Sequence, residues 1–539
     1  MRNRPYPLYN TLPQITDLKD MVQTRTAATP DAEAFAYAEG KTRISKTCAD
    51  FSHEIDALGT WLAGEGLQKS HVAILGDNCY HWIVAYLAVM NGGGIAVPVD
   101  RDLPAEKTCQ LLRQADCEAV FASRAAIRKL DGVPGMEGIR VMELAKIPEY
   151  IELGAQALAA GQTAYTDHQP QPDDTAAIFF TSGTTGNHKG VMLSHGNIAA
   201  DINAAVKNFL LEGPSLAVLP FHHSFGLNTA VLMPYHYGYP LYINTSMRRI
   251  QSDMQAEHPQ TMFFVPLYIE TFYKRIMANA RKQGKEKLLA RAGKISDFLL
   301  KFGIDLRAKL FADVQAAFGG NMQYVICGGA VLDPKYVKIF RTWGVELLNG
   351  YGITECSPVL SVNRNHYHRD GSIGTLLDGI EGRVADDGEL QVRGASIMQG
   401  YYNQPEETAA CLQDGWYSTG DLCRIDRDGF VFITGRKKNL IILSNGENVS
   451  PEEIEQQLQK DEAAAEVVVF GMNGILAAEF FPDEEHMGDQ AYFEALVEGW
   501  NKDQPQYRRI EKVYLRDTEF EKNSTKKILR FKVTEAHHA

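Results

Sequence analysis

Short apolar runs alternate with helix-like segments near the start of the chain. The runs cover residues 72–75, 95–98 and 119–121, and a helix-like segment at 80–90 lies between the first two. Buried parallel strands connected by helices are typical of this rhythm. The pattern therefore predicts a doubly wound α/β sheet.

A second rhythm of the same kind runs from residue 176 to about 360. A loop at 161–174, with two prolines and paired aspartates, precedes it, and we expect this loop to join two lobes. Residues 176–180 predict a buried strand. A helix is then predicted from about Ser194, with one apolar face made by Ile198, Ile202, Ala205, Val206 and Phe209.

The pattern changes after residue 360. Asp-Gly turns at 387–388 and 428–429 lie between alternating apolar segments, which predicts hairpins. Ser450, Pro451 and Glu453 predict a helix start with a capping box. We expect an N-terminal domain at 1–434, made of two doubly wound α/β lobes and a β-barrel-like subdomain. A hinge at 435–438 and a small mobile α+β C-terminal domain at 439–539 would follow.

Charge and cysteine content narrow the classes of function. The 539 residues include 54 Lys and Arg against 67 Asp and Glu, a formal charge of −13, which argues against nucleic acid as a partner. Eight cysteines without a CxxC pair predict reduced packing thiols. Met1 is not followed by an apolar signal core, and the longest apolar run, at 82–90, is too short to cross a bilayer. We therefore expect a cytoplasmic protein.

Residues 181–190 are chemically suited to a polyphosphate. The segment has three glycines, four hydroxyl side chains and Lys189, and we expect it between a strand and a helix. Glycines let backbone N–H groups approach an anion, hydroxyls donate hydrogen bonds, and lysine supplies charge. The spacing does not match a Walker loop, because five residues separate Gly183 from Lys189.

This loop resembles the signature of the adenylate-forming superfamily, which includes acyl-CoA synthetases, nonribosomal adenylation domains and luciferases. Further segments resemble motifs of that superfamily in the same order, at 219–226, 327–330, 349–355, 388–394 with 400–402, 415–421, 435–438 and 523–530. The resemblance runs from about residue 20 to the end of the chain.

The resemblance implies an ATP site. It assigns the β- and γ-phosphates to Thr181, Ser182, Gly183, Thr184, Thr185 and Lys189. It assigns the adenine to Gly328, Gly329, Ala330, Asn349, Gly350 and Tyr351, and it places Gly352 among the residues that bind ATP or AMP. Thr354 would contact the α-phosphate and Glu355 would bind Mg²⁺, which accepts a single carboxylate together with phosphate oxygens.

The same resemblance gives roles to residues near the end of the chain. Asp421 would bind the ribose with Arg436 as its basic companion, and Lys438 would be the hinge residue. Lys527 would bridge the substrate carboxylate and the α-phosphate, although Lys526 is adjacent and a shift of one residue stays open. A cation at that place would act mainly in the transition state.

The sequence identifies the substrate acid less specifically than it identifies the nucleotide. Amino-acid-activating relatives carry an Asp in the stretch that corresponds to 221–225, and this chain has none there. His223 instead resembles the pocket histidine of acyl and aryl synthetases, and the alternative is a histidine of the core. Residues 263–276 resemble a segment of long-chain acyl-CoA synthetases, but Leu267 stands where an Arg is expected.

A basic segment follows. Residues 274–309 hold eleven basic and three acidic side chains, a local charge of +8, and Leu288, Ala292, Ile295, Leu299 and Phe302 form one helical stripe. Such a helix could rest on anionic lipid, as a peripheral membrane contact, or could pack its stripe on the protein body. The sequence leaves both open.

These observations predict an ATP- and Mg²⁺-dependent ligase. It would convert a medium- to long-chain fatty acid to its adenylate and then to a thioester with coenzyme A. The alternatives are an acyl-AMP ligase that loads an acyl carrier protein, a synthetase for an aryl or other acid, and a binding protein without turnover. The intact Lys189, Glu355, Asp421 and Lys527 argue against the last of these.

Overall fold

The computed structural model describes residues 8–9, 12–182, 188–443, 447–472, 474–522 and 528–538. The chain divides into two compact units, the first made of 1–381 and 393–417, the second of 382–392 and 418–539. Residues 418–434, which we expected in the N-terminal domain, therefore group with the C-terminal part of the chain. The larger first unit and the smaller second unit confirm the expected order of a large and a small domain.

A seven-stranded sheet in the first unit contains the three strands predicted near the start of the chain. Its strands, in spatial order, are Gly400–Tyr401, His188–Ser194, Thr175–Ser182, Ile95–Pro98, His71–Leu75, Ala119–Ala122 and Arg140–Glu143. The helix Tyr80–Asn91 is buried along almost its whole length, with only His81 partly exposed. The apolar rhythm is thus confirmed as a largely parallel sheet with helices.

A nine-stranded sheet forms the second lobe of the same unit. Its strands, in spatial order, are Thr375–Leu376, Val359–Val362, Glu346–Gly352, Tyr324–Cys327, Thr261–Phe264, Ser215–Ala217, Leu241–Ile243, Glu33–Glu39 and Thr42–Thr47. The strand Glu33–Glu39 pairs in parallel with Leu241–Ile243, about two hundred residues later in the chain. Each lobe is therefore built from distant parts of the sequence.

Helices surround these sheets. The α-helices of the first unit are Leu18–Ala28, Cys48–Gly64, Tyr80–Asn91, Ala105–Gln114, Arg124–Leu130, Ile147–Ala159, His195–Asn208, Met233–Tyr237, Ile250–Glu257, Pro266–Lys282, Glu286–Leu300, Arg307–Leu310, Ala312–Ala317, Pro334–Thr342 and Pro405–Cys411. A π-helix covers Phe225–Leu232, and 3₁₀ turns cover Leu144–Lys146, Met247–Arg249 and Thr354–Cys356. Within the described ranges, every helix is too short or too polar to cross a lipid bilayer.

The second unit combines hairpins with a small α/β layer. Most of a five-stranded sheet belongs to it, with strands Glu381–Val384, Glu389–Arg393, Trp416–Ile425, Val431–Arg436 and Leu412–Gln413. A three-stranded sheet is formed by Ala464–Met472, Ile475–Pro482 and Ile510–Leu515, and a two-stranded one by Ile441–Ile442 and Asn448–Val449. Its helices are Pro451–Leu458, Gln490–Asn501 and Arg530–His538, with 3₁₀ turns at Lys437–Asn439 and Gln506–Arg508. Both predicted Asp-Gly hairpins are confirmed.

Two local predictions are wrong. Residues 161–174 do not lead to a separate lobe, because the strand Thr175–Ser182 joins the first sheet beside Ile95–Pro98, and Tyr165 is buried against Gly59 and Gly92. The helix Pro451–Leu458 does begin after Ser450, but without a capping box. The Ser450 hydroxyl donates to the Thr434 carbonyl at 2.8 Å instead.

The cysteines behave as expected. All eight are free thiols, and six of them are buried. A buried thiol packs as a small apolar side chain. The prediction of reduced, packing cysteines is confirmed.

Candidate active site

Two of the predicted nucleotide motifs lie side by side at the carboxyl ends of parallel strands. The strand Tyr324–Cys327 pairs with Glu346–Gly352, with Cys327 opposite Asn349. Gly328 to Ala330 follow the first strand directly, and Gly350 to Gly352 end the second. Ligands of open α/β sheets bind at such strand ends. The fold therefore brings together two segments that are about twenty residues apart in sequence.

Glycines are required here because backbones approach closely. A Cβ atom on Gly352 would lie 2.1 Å from the Pro358 carbonyl oxygen, and one on Gly328 would lie 3.3 Å from the Phe225 ring. Gly329 has a φ of +83°, which favours glycine. Gly352 thus excludes a larger residue by steric clash, and Gly329 favours glycine by its backbone conformation, before any ligand is considered.

We expect Gly352→Ala to lower the free energy of unfolding by about 1–3 kcal/mol, because the added methyl group must displace backbone. The control is Gly64→Ala, at the end of a helix where an added Cβ meets nothing within 4 Å. That variant should be neutral or slightly more stable. Calorimetric unfolding of the two variants compares them, and equal stability would contradict the predicted clash.

Thr354 and Glu355 lie on a 3₁₀ turn directly after these glycines. The Tyr401 hydroxyl donates to Glu355 Oε1 at 3.0 Å, and the Met398 N–H donates to the Glu355 carbonyl at 2.8 Å. The Ser224 hydroxyl lies 3.4 Å from the Thr354 hydroxyl. Burial and the Glu355 charge raise the pKa of Tyr401, so this phenol stays protonated and keeps donating. The turn thus presents a carboxylate in a fixed direction.

Buried polar groups that the sequence reasoning missed support this turn. Ser357 has a φ of +77°, and its hydroxyl donates to the Ser396 carbonyl at 2.8 Å. The Asn228 amide donates to the Ser357 carbonyl, and the Val359 N–H donates to Asp201 Oδ1 at 3.0 Å. Burial raises the pKa of Asp201 well above its usual range. The available signal was a polar residue inside an apolar run, such as Asn228 in 225–232.

Lys189 lies in a strand rather than in a loop before a helix. The strands Thr175–Ser182 and His188–Ser194 are antiparallel neighbours with Thr181 opposite Lys189, so the predicted strand–loop–helix arrangement is wrong. Val191 and Leu193 are buried on one face, which extends the strand, and the helix begins only after Ser194. Lys189 is consequently held by a strand of this antiparallel pair, and the helix begins six residues later, at His195.

The Lys189 ammonium forms an ion pair with the Glu407 carboxylate and lies 4.8 Å from the centre of the Tyr401 ring. Glu407 was not anticipated. An ammonium paired with a half-exposed carboxylate can exchange that partner for a phosphate at little cost. Gly183, Thr184 and Thr185 lie outside the described residues, as does the side chain of Ser182.

A cavity of about 60 Å³ lies beside the glycine motifs. Its walls come from one helix end, the π-helix and three strands, and they are Ala205, Phe209, Phe225, Thr229, Ile326, Cys327, Gly328, Gly329, Gly350, Tyr351, Gly352, Pro358, Val359 and Val362. The lining is almost entirely apolar. Tyr351, assigned to the adenine, is a wall of this cavity.

His223 lies next to a second, partly buried histidine, His222. The rings of His222 and His223 are 4.2 Å apart, and His222 Nε2 lies 3.6 Å from Asp100 Oδ1. Burial lowers the pKa of His222 despite the nearby Asp100. Phe225, two residues later, lines the cavity but His223 does not, so the pocket role of His223 stays a prediction.

In the second unit, Asp421 and Arg436 face each other on paired strands. The Asp421 carboxylate is buried and lies 2.9 Å from Arg436 Nε. The Arg436 guanidinium is partly exposed beside it. The structure thus confirms the pairing of these two residues, while their contact with a ribose stays a prediction.

The predicted hinge continues directly from this strand. Lys437 to Asn439 form a 3₁₀ turn, and Lys437 forms ion pairs with Asp387 at 2.6 Å and Glu389 at 2.9 Å. A Cβ on Gly435 would lie 2.1 Å from the Ser450 hydroxyl. Gly435 is therefore needed for packing, and the hinge role of Lys438 is untested.

Lys526 and Lys527 lie outside the described residues, but the chain on both sides is well anchored. Lys522 and Ile528 form an antiparallel bridge, and the Leu529 N–H donates to the Glu521 carbonyl at 2.8 Å. Arg530 donates to both oxygens of the buried Glu455 at 2.7 Å. Hydrogen bonds and an ion pair thus hold in place the residues on both sides of the predicted catalytic lysine.

Known families and relatives match this organisation. The family described as AMP-binding enzyme matches residues 22–402, and the AMP-binding enzyme C-terminal domain matches 438–539. A long-chain-fatty-acid–CoA ligase of Mycobacterium bovis, FadD15, is 30% identical over 454 residues, which cover 79% of this chain and 75% of that protein. Long-chain-fatty-acid–CoA ligase 1 of Homo sapiens is 28% identical over 502 residues, which cover 83% and 72%.

Solved structures share the fold. The anthranilate CoA ligase AuaEII in complex with anthranoyl-AMP aligns with a TM-score of 0.78 at 19% identity, over 100% of this chain and 99% of that one. A fatty acyl CoA synthetase of Mycobacterium tuberculosis aligns with a TM-score of 0.69 at 22% identity, over 97% and 98%. Both family matches together span nearly the whole sequence, and the chain belongs to the AMP-binding enzyme family.

Proposed function

We propose that this protein is a fatty acid–CoA ligase of the AMP-forming type. The observation that carries the proposal is an apolar cavity whose walls include the glycine motifs assigned to the adenine, next to the turn that presents Thr354 and Glu355. An apolar acyl chain and a nucleotide would meet there. The long-chain-fatty-acid–CoA ligase relatives support fatty acids as the substrate class.

The proposed reaction has two steps. A carboxylate oxygen of the fatty acid attacks the α-phosphorus of ATP, and pyrophosphate leaves to give an acyl adenylate. The sulfur of coenzyme A then attacks the acyl carbon, loses its proton, and AMP leaves. Positioning of two anions and neutralisation of their charge supply most of the rate in such phosphate chemistry.

We assign the roles as follows. Lys189 exchanges Glu407 for the β- and γ-phosphates, together with the hydroxyl and backbone groups of 181–185. The Asn349 Oδ1 acceptor is buried and has no hydrogen-bond partner among the described residues, which fits an adenine amino group as its donor. Asp421 binds the ribose with Arg436 beside it.

Glu355 has the chemistry of a Mg²⁺ ligand. Among the described residues, no three His, Cys, Asp or Glu side chains are grouped to hold a metal by themselves. One carboxylate held in place by Tyr401 suits an ion that keeps waters and shares phosphate oxygens. When bound, Mg²⁺ would neutralise phosphate charge. Glu355, the Thr354 hydroxyl and the ATP phosphates would be its surroundings.

Acyl chain length is testable at Thr229 in the cavity wall. We expect Thr229→Trp to fill the cavity and to lower kcat/KM for long acids at least tenfold, while the shortest accepted acid is much less affected. The control is Thr229→Val, which keeps the shape and removes a buried hydroxyl without a hydrogen-bond partner in the described part of the chain. A series from hexanoate to octadecanoate measures the profile. An unchanged profile in Thr229→Trp would place the acyl chain elsewhere.

The thiol acceptor needs its own experiment. Free coenzyme A and an acyl carrier protein present the same phosphopantetheine arm, so we test both with the same fatty acid. Thioester formation with free coenzyme A supports the proposal. Acylation of the carrier protein without any reaction with coenzyme A would favour the acyl-AMP ligase alternative.

A further inference from the structure

One helix and the turn after it expose an unusual set of large apolar side chains. The exposed fraction is 67% for Phe302, 62% for Leu288, 59% for Phe298 and 52% for Ile295, and Ile304 and Leu306 are exposed as well. The Phe298 and Phe302 rings contact each other with their centres 5.1 Å apart. We call these six residues together with Lys287, Arg291, Lys294 and Lys301 the apolar–basic surface.

The helix Glu286–Leu300 does not use this surface to pack on the protein. Its buried residues are Ala292 and Ser296, and the Thr342 hydroxyl donates to Asp297 at 3.2 Å. The apolar residues that the sequence predicted to form one stripe therefore do not all face the same side. Ala292 faces the body, whereas Leu288, Ile295 and Phe302, spaced seven residues apart, face outwards.

Unpaired positive charge borders the exposed apolar side chains. Lys287, Arg291, Lys294 and Lys301 are exposed, and none of them has an ion-pair partner among the residues that the structure describes. In a helix of 3.6 residues per turn, Lys287, Lys294 and Lys301 lie along one flank of the apolar stripe, and Arg291 lies within the stripe. The segment 274–309, which includes this helix, carries a local charge of +8 in a chain of −13.

We propose that the apolar–basic surface docks on an anionic phospholipid bilayer. Exposed Phe, Leu and Ile side chains beside lysines are the composition of a helix that lies in the plane of a membrane interface. Juxtaposed lysines and arginines are attracted to acidic headgroups within a Debye length. A second copy of the chain is a poor occupant, because a symmetric contact would bring the same positive charges together.

Vesicle sedimentation of the full chain tests this proposal. The probes are large vesicles of phosphatidylcholine alone and of phosphatidylcholine with phosphatidylglycerol. We expect binding to the acidic vesicles that is at least tenfold tighter than to neutral ones and that weakens as salt is raised. Equal binding to both vesicle types, or no binding to either, would overturn the proposal.

Matched variants distinguish the apolar from the electrostatic contribution to vesicle binding, and both from a loss of binding through misfolding. Phe298→Ser with Phe302→Ser, and Lys294→Glu with Lys301→Glu, should each reduce binding to acidic vesicles at least tenfold. Leu153→Ser, at a 52% exposed leucine on a different helix, should bind as the unchanged protein does. Turnover of a short soluble acid should be the same in all of them. Unreduced binding in both double variants would overturn the proposal in favour of another membrane-binding surface. A dimer in solution that both double variants abolish would overturn it in favour of self-association.

Discussion

Lys527→Ala should lose ATP–pyrophosphate exchange by on the order of a hundredfold or more, with ATP binding retained. The resemblance assigns this ammonium to the substrate carboxylate and the α-phosphate, two anions that must approach each other in the first step. Its charge would therefore stabilise the transition state more than the bound ground state. Exchange of labelled pyrophosphate into ATP measures the first step alone, and calorimetric titration measures ATP binding.

Lys526→Ala is the matched control, because it removes the same charge one residue earlier in the chain. It should keep exchange near the level of the unchanged enzyme. The reverse result, with exchange lost in Lys526→Ala and kept in Lys527→Ala, would move the catalytic role by one residue. Full exchange in both variants would contradict a catalytic lysine at either position.

Arg530→Met should destabilise the second unit by about 3–5 kcal/mol near neutral pH, since it leaves the buried Glu455 without its cation. The double variant Glu455→Leu with Arg530→Met removes both charges and should recover most of that loss. The Val469 N–H, which donates to Glu455 Oε1 at 2.6 Å, loses its acceptor in the double variant, so recovery should be incomplete. Thermal unfolding of the three proteins measures these differences.

The loss in Arg530→Met should also depend on pH. Burial raises the pKa of Glu455 above its ordinary value near 4.5, while Arg530 pulls it down. Without Arg530 the pKa rises further, so the folded variant prefers the protonated acid. A raised carboxyl pKa favours the folded state at low pH. The stability that Arg530→Met loses relative to the unchanged protein should therefore shrink as the pH falls towards 4.5 and grow as the pH rises. A deficit that is constant across this range would contradict an ionised Glu455.

The sequence predicted those parts of the fold that depend on local pattern. The helix Tyr80–Asn91 and the strands around it were found because continuous burial leaves a continuous apolar run. Gly350 and Gly352 were found because another stretch of backbone approaches each of them closely. The Asp-Gly hairpins followed from the left-handed conformation that Gly388 and Gly429 adopt.

The features that the sequence did not predict depend on contacts between residues that are distant in the chain. Residues 188–194 form a strand because they pair with Thr175–Ser182. The Ser450 hydroxyl donates to the Thr434 carbonyl and therefore does not cap the helix as predicted. The pairing of Glu407 with Lys189, and the support of the Thr354 turn by Asn228 and Ser396, join residues at least 39 positions apart. Local periodicity carries no information about such contacts.

The most direct test of the account is ATP–pyrophosphate exchange by the unchanged enzyme across fatty acids of increasing length. A fatty acid–CoA ligase should show exchange that requires ATP and a fatty acid, proceeds without coenzyme A, and is strongest for a medium- or long-chain acid. Absence of exchange with every acid from hexanoate to octadecanoate, in a folded protein that binds ATP, would contradict it.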